Sequence, residues 1–70
     1  MKRMPVISGL EMVKVLYRKG WKPVRQVGTS HLIMKKDGVP DLLSIPMKDE
    51  LKPGIVHTCI RIAGLTKDDF

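Results

Sequence analysis

The apolar residues near the start of the chain follow the spacing of an amphipathic helix. The predicted apolar stripe consists of residues three or four positions apart: Leu10, Val13, Leu16 and Tyr17. Ser8 and Glu11 have the spacing of a capping box, in which each side chain bonds the backbone amide of the other residue. Gly20 is placed to end the helix in a left-handed conformation. The pattern therefore predicts a helix over residues 9–19.

After Trp21 the pattern changes to short segments rich in residues that favour strands. Turn sequences at residues 28–29 and 37–38 separate these segments. The sequence therefore predicts three strands, over residues 22–27, 30–36 and 41–46.

A two-residue turn at Asp37–Gly38 predicts the pairing of the second and third strands. It pairs Leu32 with Leu43. The same register places His31 opposite Ser44. Because side chains alternate along a strand, one set is expected to face the helices: Leu32, Met34, Leu43 and Ile45. The other set is expected to face away from them: His31, Ile33, Lys35, Leu42 and Ser44.

The first hairpin cannot close with a two-residue turn, because that register would pair an inward Val24 with the outward Ile33. We expect instead a loop of odd length with its glycine at positive φ, together with a bulge. Such a loop sets Arg25 or Val27 across from His31 on the outer face.

The last third of the chain predicts a second helix, since Pro53 can occupy a first helical position and Gly64 can end the helix. Thr66 and Asp69 can cap one further turn. The apolar stripe of the second helix is predicted at Ile55, Val56, Cys59, Ile60 and Ala63. The αβββα order predicts an α+β fold in which both helices cover one face of a three-stranded antiparallel sheet. Residues 1–70 are predicted to form one domain.

Charge and composition narrow the classes of partner. The chain has 13 Lys and Arg against 7 Asp and Glu, a formal net charge of +6. This excess favours the binding of polyanions, and nucleic acid is the first candidate for the partner. An acidic protein fits the same charge. One cysteine and two distant histidines provide neither a disulfide nor a metal-ligand set, so no metal or other cofactor is expected.

The expected location is the cytoplasm. No apolar run approaches the roughly 20 residues of a membrane span. The basic segment Met1–Pro5 is followed by an amphipathic pattern rather than by the apolar stretch of a secretory signal.

Several short motifs occur in order over nearly the whole chain: Ser8-Gly9, Gly20-Trp21, Val24-Arg25-Gln26, Gly28-Thr29-Ser30-His31, Ile45-Pro46, Glu50-Leu51-Lys52-Pro53-Gly54 and Ala63-Gly64-Leu65-Thr66. This ordered set resembles the HicA, or YcfA-like, family of toxin ribonucleases. The resemblance implies a fold similar to double-stranded-RNA-binding domains, metal-independent cleavage of mRNA as an endoribonuclease, and neutralisation by a HicB-type antitoxin. The chain departs from the family at Ser30, where His or Asn is frequent, and at Met47, where His often follows the proline.

The essential histidine of the family corresponds to His31, which the resemblance implies is catalytic. An imidazole changes protonation near neutral pH, so it can take a proton from a ribose 2′-hydroxyl or give one to a leaving 5′-oxygen. The residues predicted to bind RNA around it are Arg25, Gly28, Thr29, Ser30, Lys35 and Ser44. Among these, the cations are expected to stabilise the charged phosphate, and Ser44 is a candidate to orient the imidazole. His57 is predicted to be an inert surface residue.

Two other functions stay open from the sequence: a non-catalytic RNA-binding module, and an inactive family member that acts only as a protein partner. A binder of double-stranded RNA would be expected to carry a lysine cluster where the last helix begins, and this chain has only Lys52 there. The apolar residues Val27, Ile33 and Leu42 are predicted on the outer face, which is typical of a protein contact. We hypothesise that the antitoxin covers this face.

Overall fold

A computed structural model describes residues 6–28 and 30–70 of the chain. Its elements, in chain order, are helix α1 (Gly9–Arg18), strands β1 (Lys22–Val27), β2 (His31–Lys35) and β3 (Leu43–Pro46), helix α2 (Pro53–Ala63) and a terminal 3₁₀ turn (Lys67–Asp69). The strands form one antiparallel sheet in the order β1-β2-β3. The fold is therefore the predicted α+β arrangement of the double-stranded-RNA-binding-domain type.

Helix α1 begins at the predicted capping box. The Glu11 amide donates to Ser8 Oγ at 3.1 Å, and the Ser8 amide donates to Glu11 Oε1 at 2.9 Å. The helix ends one residue earlier than predicted, and Gly20 follows with φ of +95°. Both ends are thus fixed by local chemistry that can be recognised in the sequence.

The predicted apolar stripe of α1 is correct for the buried Leu16 and the partly buried Val13, but wrong for its other two members. Leu10 is 53% exposed and Tyr17 is 64% exposed. Besides Leu16, the face that packs on the core carries Gly9, Met12 and Val15. Two apolar stripes with helical spacing run along this helix, and periodicity alone cannot choose between them. The close approach of Gly9 to the end of β3, in the first turn of the helix, selects which stripe faces the core.

One core joins the inner face of the sheet to both helices. Its buried members include Leu16 and Trp21 from the first third of the chain, Met34, Leu43 and Ile45 from β2 and β3, and Val56 and Cys59 from α2. The predicted inward set of β2 and β3 is confirmed, with Leu32 only partly buried. The predicted stripe of α2 is also confirmed, since Ile55, Ile60 and Ala63 pack partly buried against this core.

The first hairpin has the predicted odd-length turn. Residues 28–30 connect the strands, Gly28 has φ of +63°, and Val27 pairs with His31. The register shifts between Pro23 and Arg25, so the extra residue of the bulge is Val24. Val24 is 55% exposed, which corrects its predicted inward position.

The register of the second hairpin differs from the prediction by two residues. Leu32 pairs with Ile45 and His31 pairs with Pro46, whereas Ser44 lies opposite Ile33. The turn at Asp37–Gly38 forms, but β3 begins only at Leu43. The intervening Pro40 has no amide hydrogen to extend the ladder. A shift by an even number of residues leaves each side chain on its predicted face.

No helix within residues 6–28 and 30–70 is long and apolar enough to cross a membrane. The segment Met1–Pro5, on which the prediction of no secretory signal rests, lies outside the described residues.

Candidate active site

His31 is the first residue of β2 and follows directly on the first hairpin turn. Its side chain is exposed on the sheet face that the helices leave open. Its Nδ1 atom lies 3.4 Å from Ser30 Oγ, a long hydrogen-bonding distance. The imidazole is therefore open to a ligand from solvent, and one of its nitrogens has a neighbouring hydroxyl.

The backbone around His31 is held from both sides. Val27 of β1 and Pro46 of β3 are its cross-strand neighbours. Beyond the end of β3, the Met47 amide donates to the Ser30 carbonyl at 2.6 Å. The hairpin turn is consequently tied to the segment that follows β3, and the histidine lies between two fixed strands.

The N-terminus of α1 packs closely on this same segment. The Gly9 amide donates to the Lys48 carbonyl at 2.8 Å. A Cβ atom at residue 9 would overlap the Pro46 carbonyl oxygen and would lie 2.9 Å from Met47 Cα. Only glycine fits this approach. Gly9 therefore fixes both the rotation of α1 and the position of the strand end beside His31.

Arg25 lies nearer to His31 than Lys35 does. Arg25 is opposite Ile33, two residues along β2 from His31, which makes it a diagonal neighbour of His31 at about 7–8 Å between Cα atoms. Lys35 is four residues along β2, about 13 Å away at 3.3 Å per residue. Both side chains are exposed on the face of His31, as predicted.

Ser44 is not the cross-strand partner of His31, which corrects the prediction. It lies opposite Ile33, and the hydroxyl near the imidazole belongs to Ser30. Gly28 has no atom within 4 Å of where its Cβ would be, so its role within the chain is to adopt positive φ. Thr29 lies outside the described residues.

Lys22 is a cation of this face that was not predicted from the sequence. It pairs with Lys35 across β1 and β2. Simple alternation from Arg25 would turn residue 22 toward the helices, and the extra residue Val24 reverses that parity. The signal available in the sequence was the predicted bulge, but its position within β1 was not specified.

Two grooves in the part of the chain that the structure describes lie away from His31. One groove, of about 440 Å³, runs between β3 and α2 and is mainly apolar. A second, of about 400 Å³, lies between α1 and Phe70. His31 stands instead on an open surface, which suits an extended polymer better than an enclosed small molecule.

Other reactive groups are placed outside this face. Burial raises the pKa of the Cys59 thiol to about 11, so it stays protonated at neutral pH and is a poor nucleophile. His57 is exposed on α2. Within the described residues, no group of three or more His, Cys, Asp or Glu side chains is arranged to hold a metal ion.

The fold and this face together define a small basic α+β domain whose open sheet surface presents one histidine among cations. A family model described as the HicA toxin of bacterial toxin-antitoxin systems matches residues 9–65. The chain belongs to the HicA toxin family. No protein of curated function matches it.

Proposed function

We propose that this protein is a toxin endoribonuclease that cleaves mRNA without a metal ion and uses His31 as general acid or base. One observation carries the proposal: in a chain of the HicA toxin family, His31 is exposed at the start of β2 on an open, cationic face. The excess of 13 basic over 7 acidic residues supports a polyanionic substrate.

The chemistry proposed at His31 is transesterification of the RNA backbone. The ribose 2′-oxygen forms a bond to the adjacent phosphorus, and the bond from phosphorus to the 5′-oxygen breaks. The 2′-hydroxyl loses a proton and the leaving 5′-oxygen gains one, which leaves a 2′,3′-cyclic phosphate and a 5′-hydroxyl. An imidazole can take the first proton or supply the second.

Ser30 is proposed as a positioning residue for this step. With its proton on Nδ1, the imidazole can donate to Ser30 Oγ, 3.4 Å away. Nε2 is then the unprotonated nitrogen and can accept the proton of the 2′-hydroxyl. The separation of Nδ1 and Oγ makes this a weak restraint, so a modest contribution is expected.

Arg25 is proposed to stabilise the phosphate during the reaction. Its guanidinium is always charged and its side chain is long enough to reach a phosphate bound at His31, its diagonal neighbour. The backbone of the RNA would also contact the first turn and the outer face, through Gly28, Thr29, Ser30, Lys35 and Ser44.

A HicB-type antitoxin is the proposed protein partner, and the outer face is its proposed docking surface. Val27 and Leu42 are exposed and Ile33 is half-buried beside His31. A partner that covers these apolar side chains would also cover the histidine. We propose that the toxin acts in the cytoplasm. We also propose that residues 1–70 form one domain. If addition of the antitoxin leaves the amide protection of β2 and β3 unchanged, this docking surface is contradicted.

The test compares three proteins on one RNA in the presence of a chelator. Wild type is expected to cleave the RNA and to leave a substrate with 2′-deoxy riboses intact. His31→Ala is expected to lower the cleavage rate by about 10²–10⁴-fold, the usual contribution of general acid-base catalysis. His57→Ala is the matched control, since that histidine is exposed on α2, and it is expected to cleave at the wild-type rate.

Each contrary result would remove a different part of the proposal. Equal cleavage by wild type and His31→Ala would exclude this histidine as the catalyst. Cleavage that stops with the chelator would contradict a metal-independent reaction. RNA binding without cleavage by any of the three proteins would favour a non-catalytic RNA-binding module.

A further inference from the structure

Two lysines face each other directly across the first hairpin. Lys22 of β1 and Lys35 of β2 are cross-strand partners, and both side chains are exposed. Within residues 6–28 and 30–70, neither lysine forms an ion pair, and the ion pair that the structure shows there joins Lys19 to Asp69. The positive charges of the pair are therefore uncompensated by the described part of the chain.

The bulge in β1 creates this pair. In an unbulged strand, Lys22 would lie on the opposite face from Arg25 and Val27, because side chains alternate. Val24 adds one residue to β1 between two paired positions, so Lys22 returns to the face of Arg25 and His31. The outer face of this hairpin thus carries cationic side chains at two successive levels beyond the histidine.

Opposed like charges in a sheet repel each other, because their Cβ atoms are only about 4.5–5.5 Å apart. An anion bound between the two ammonium groups attracts both of them and offsets their mutual repulsion. A phosphate fits this geometry, since its oxygens can accept from two ammonium groups at once. Arg25 lies between the lysine pair and His31, so the positive charge is continuous along the hairpin.

We propose that Lys22 and Lys35 together bind one backbone phosphate of the RNA, at a fixed distance from the bond that is cut. The proposal rests on the proposed function for the identity of the ligand. The pair is about 13 Å along β2 from His31 at 3.3 Å per residue. With a rise of about 3.4 Å per stacked nucleotide and more when the strand is extended, that phosphate is about two to four nucleotides away.

The first experiment measures binding of a short single-stranded RNA with 2′-O-methyl riboses, which has no 2′-hydroxyl to react. The double variant Lys22→Gln with Lys35→Gln is compared with Lys14→Gln with Lys67→Gln. Lys14 and Lys67 are exposed on α1 and on the 3₁₀ turn, away from the hairpin. Each double variant replaces two lysines, so the two variants have the same net charge. Any difference between them therefore reports the position of the charges.

We expect the first double variant to weaken binding about five- to tenfold at low salt. Its plot of log affinity against log salt should be less steep by about 0.7, the value for one phosphate of a single strand. The control should retain the wild-type slope. Equal losses of affinity in the two double variants would overturn the proposal, because they would reflect total charge alone.

The second experiment locates the phosphate. A set of the same RNAs carries one uncharged methylphosphonate linkage at each position in turn. Wild type should lose affinity most at one linkage away from the cleavage position, and the Lys22 and Lys35 double variant should show no loss there. If that double variant keeps the wild-type sensitivity at every linkage, the paired lysines do not hold a phosphate.

Cleavage of an unmodified RNA is measured separately, so that failure of the two proposals can be told apart. Binding that depends on Lys22 and Lys35, without cleavage, would leave the phosphate site standing and remove the nuclease. Cleavage by wild type, together with equal binding of RNA by both double variants, would support the nuclease and remove the phosphate site. No binding of RNA by wild type would contradict both.

Discussion

The two faces of the sheet are built from the same three strands but are determined by different forces. On the inner face, Met34 and Ile45 are fully buried in the core, and their positions follow from packing. On the outer face, His31, Arg25 and Lys35 are exposed, and no contact with the core selects them. The inner face therefore governs stability, whereas core packing does not constrain the residues of the outer face.

The largest expected effect separates the two faces along a single strand. Met34→Ala should lower the free energy of unfolding by about 2–5 kcal/mol, because it leaves a cavity in the core. His31→Ala, three residues away on β2, should change it by less than about 0.5 kcal/mol. Urea unfolding followed by circular dichroism measures both. Comparable destabilisation by the two variants would break the distinction between the faces.

The next effect concerns Gly9, where helix α1 packs against the end of β3. Gly9→Ala places a Cβ atom against the Pro46 carbonyl, so α1 must move away from the end of β3. We expect a loss of about 1–3 kcal/mol in unfolding free energy, as for other overpacked sites. RNA cleavage by the folded variant should also fall, because Met47 anchors the Ser30 carbonyl. Gly54→Ala is the matched control, since its Cβ would meet no atom within 4 Å.

A smaller effect is expected on the outer face alone. Ser30→Ala removes the hydroxyl beside Nδ1 and should lower the cleavage rate about two- to tenfold, the value of one modest hydrogen bond. A positioning role also predicts a changed pH-rate profile, and Ser30→Thr should restore part of the rate. Full activity of Ser30→Ala over the whole pH range would exclude this role.

The smallest effect concerns an ion pair remote from both faces. The Lys19 ammonium, 2.9 Å from Asp69 Oδ1, lowers the pKa of that carboxyl, and the Thr66 amide adds to the shift. Because the pKa is lower in the folded protein, the pair stabilises the fold above the unfolded pKa near 3.9, and this contribution is lost as the pH falls through the folded value. Asp69→Asn should abolish that part of the acid sensitivity. Thermal unfolding at several acidic pH values measures the difference.

The parts of the fold that follow local rules could be predicted from the sequence. The capping box at Ser8 and the left-handed Gly64 define helix ends through hydrogen bonds between near neighbours. The sheet faces were also predictable, because alternation in β2 and β3 separates Met34 and Ile45 from His31. Placement of the catalytic candidate on the open face therefore needed no tertiary information.

The errors arose where distant contacts decide between equivalent local solutions. Leu10 and Met12 both lie on stripes with helical spacing, and the approach of Gly9 to β3 selects the second. The register of Ser44 depends on how far the chain runs beyond Gly38 before pairing resumes. Lys22 changes face because of a bulge whose position the local sequence does not specify. The proposed role of His31 came from family resemblance, since exposure on a strand does not imply catalysis.

The bulged strand also limits how this protein can associate with itself. β1 is an outer strand of the sheet, and such an edge can recruit a strand from another molecule. Pro23 has no amide hydrogen to offer to an incoming strand, and Val24 interrupts the regular spacing of the groups beside it. Edge-to-edge pairing of two molecules through β1 is therefore disfavoured by the backbone of that strand.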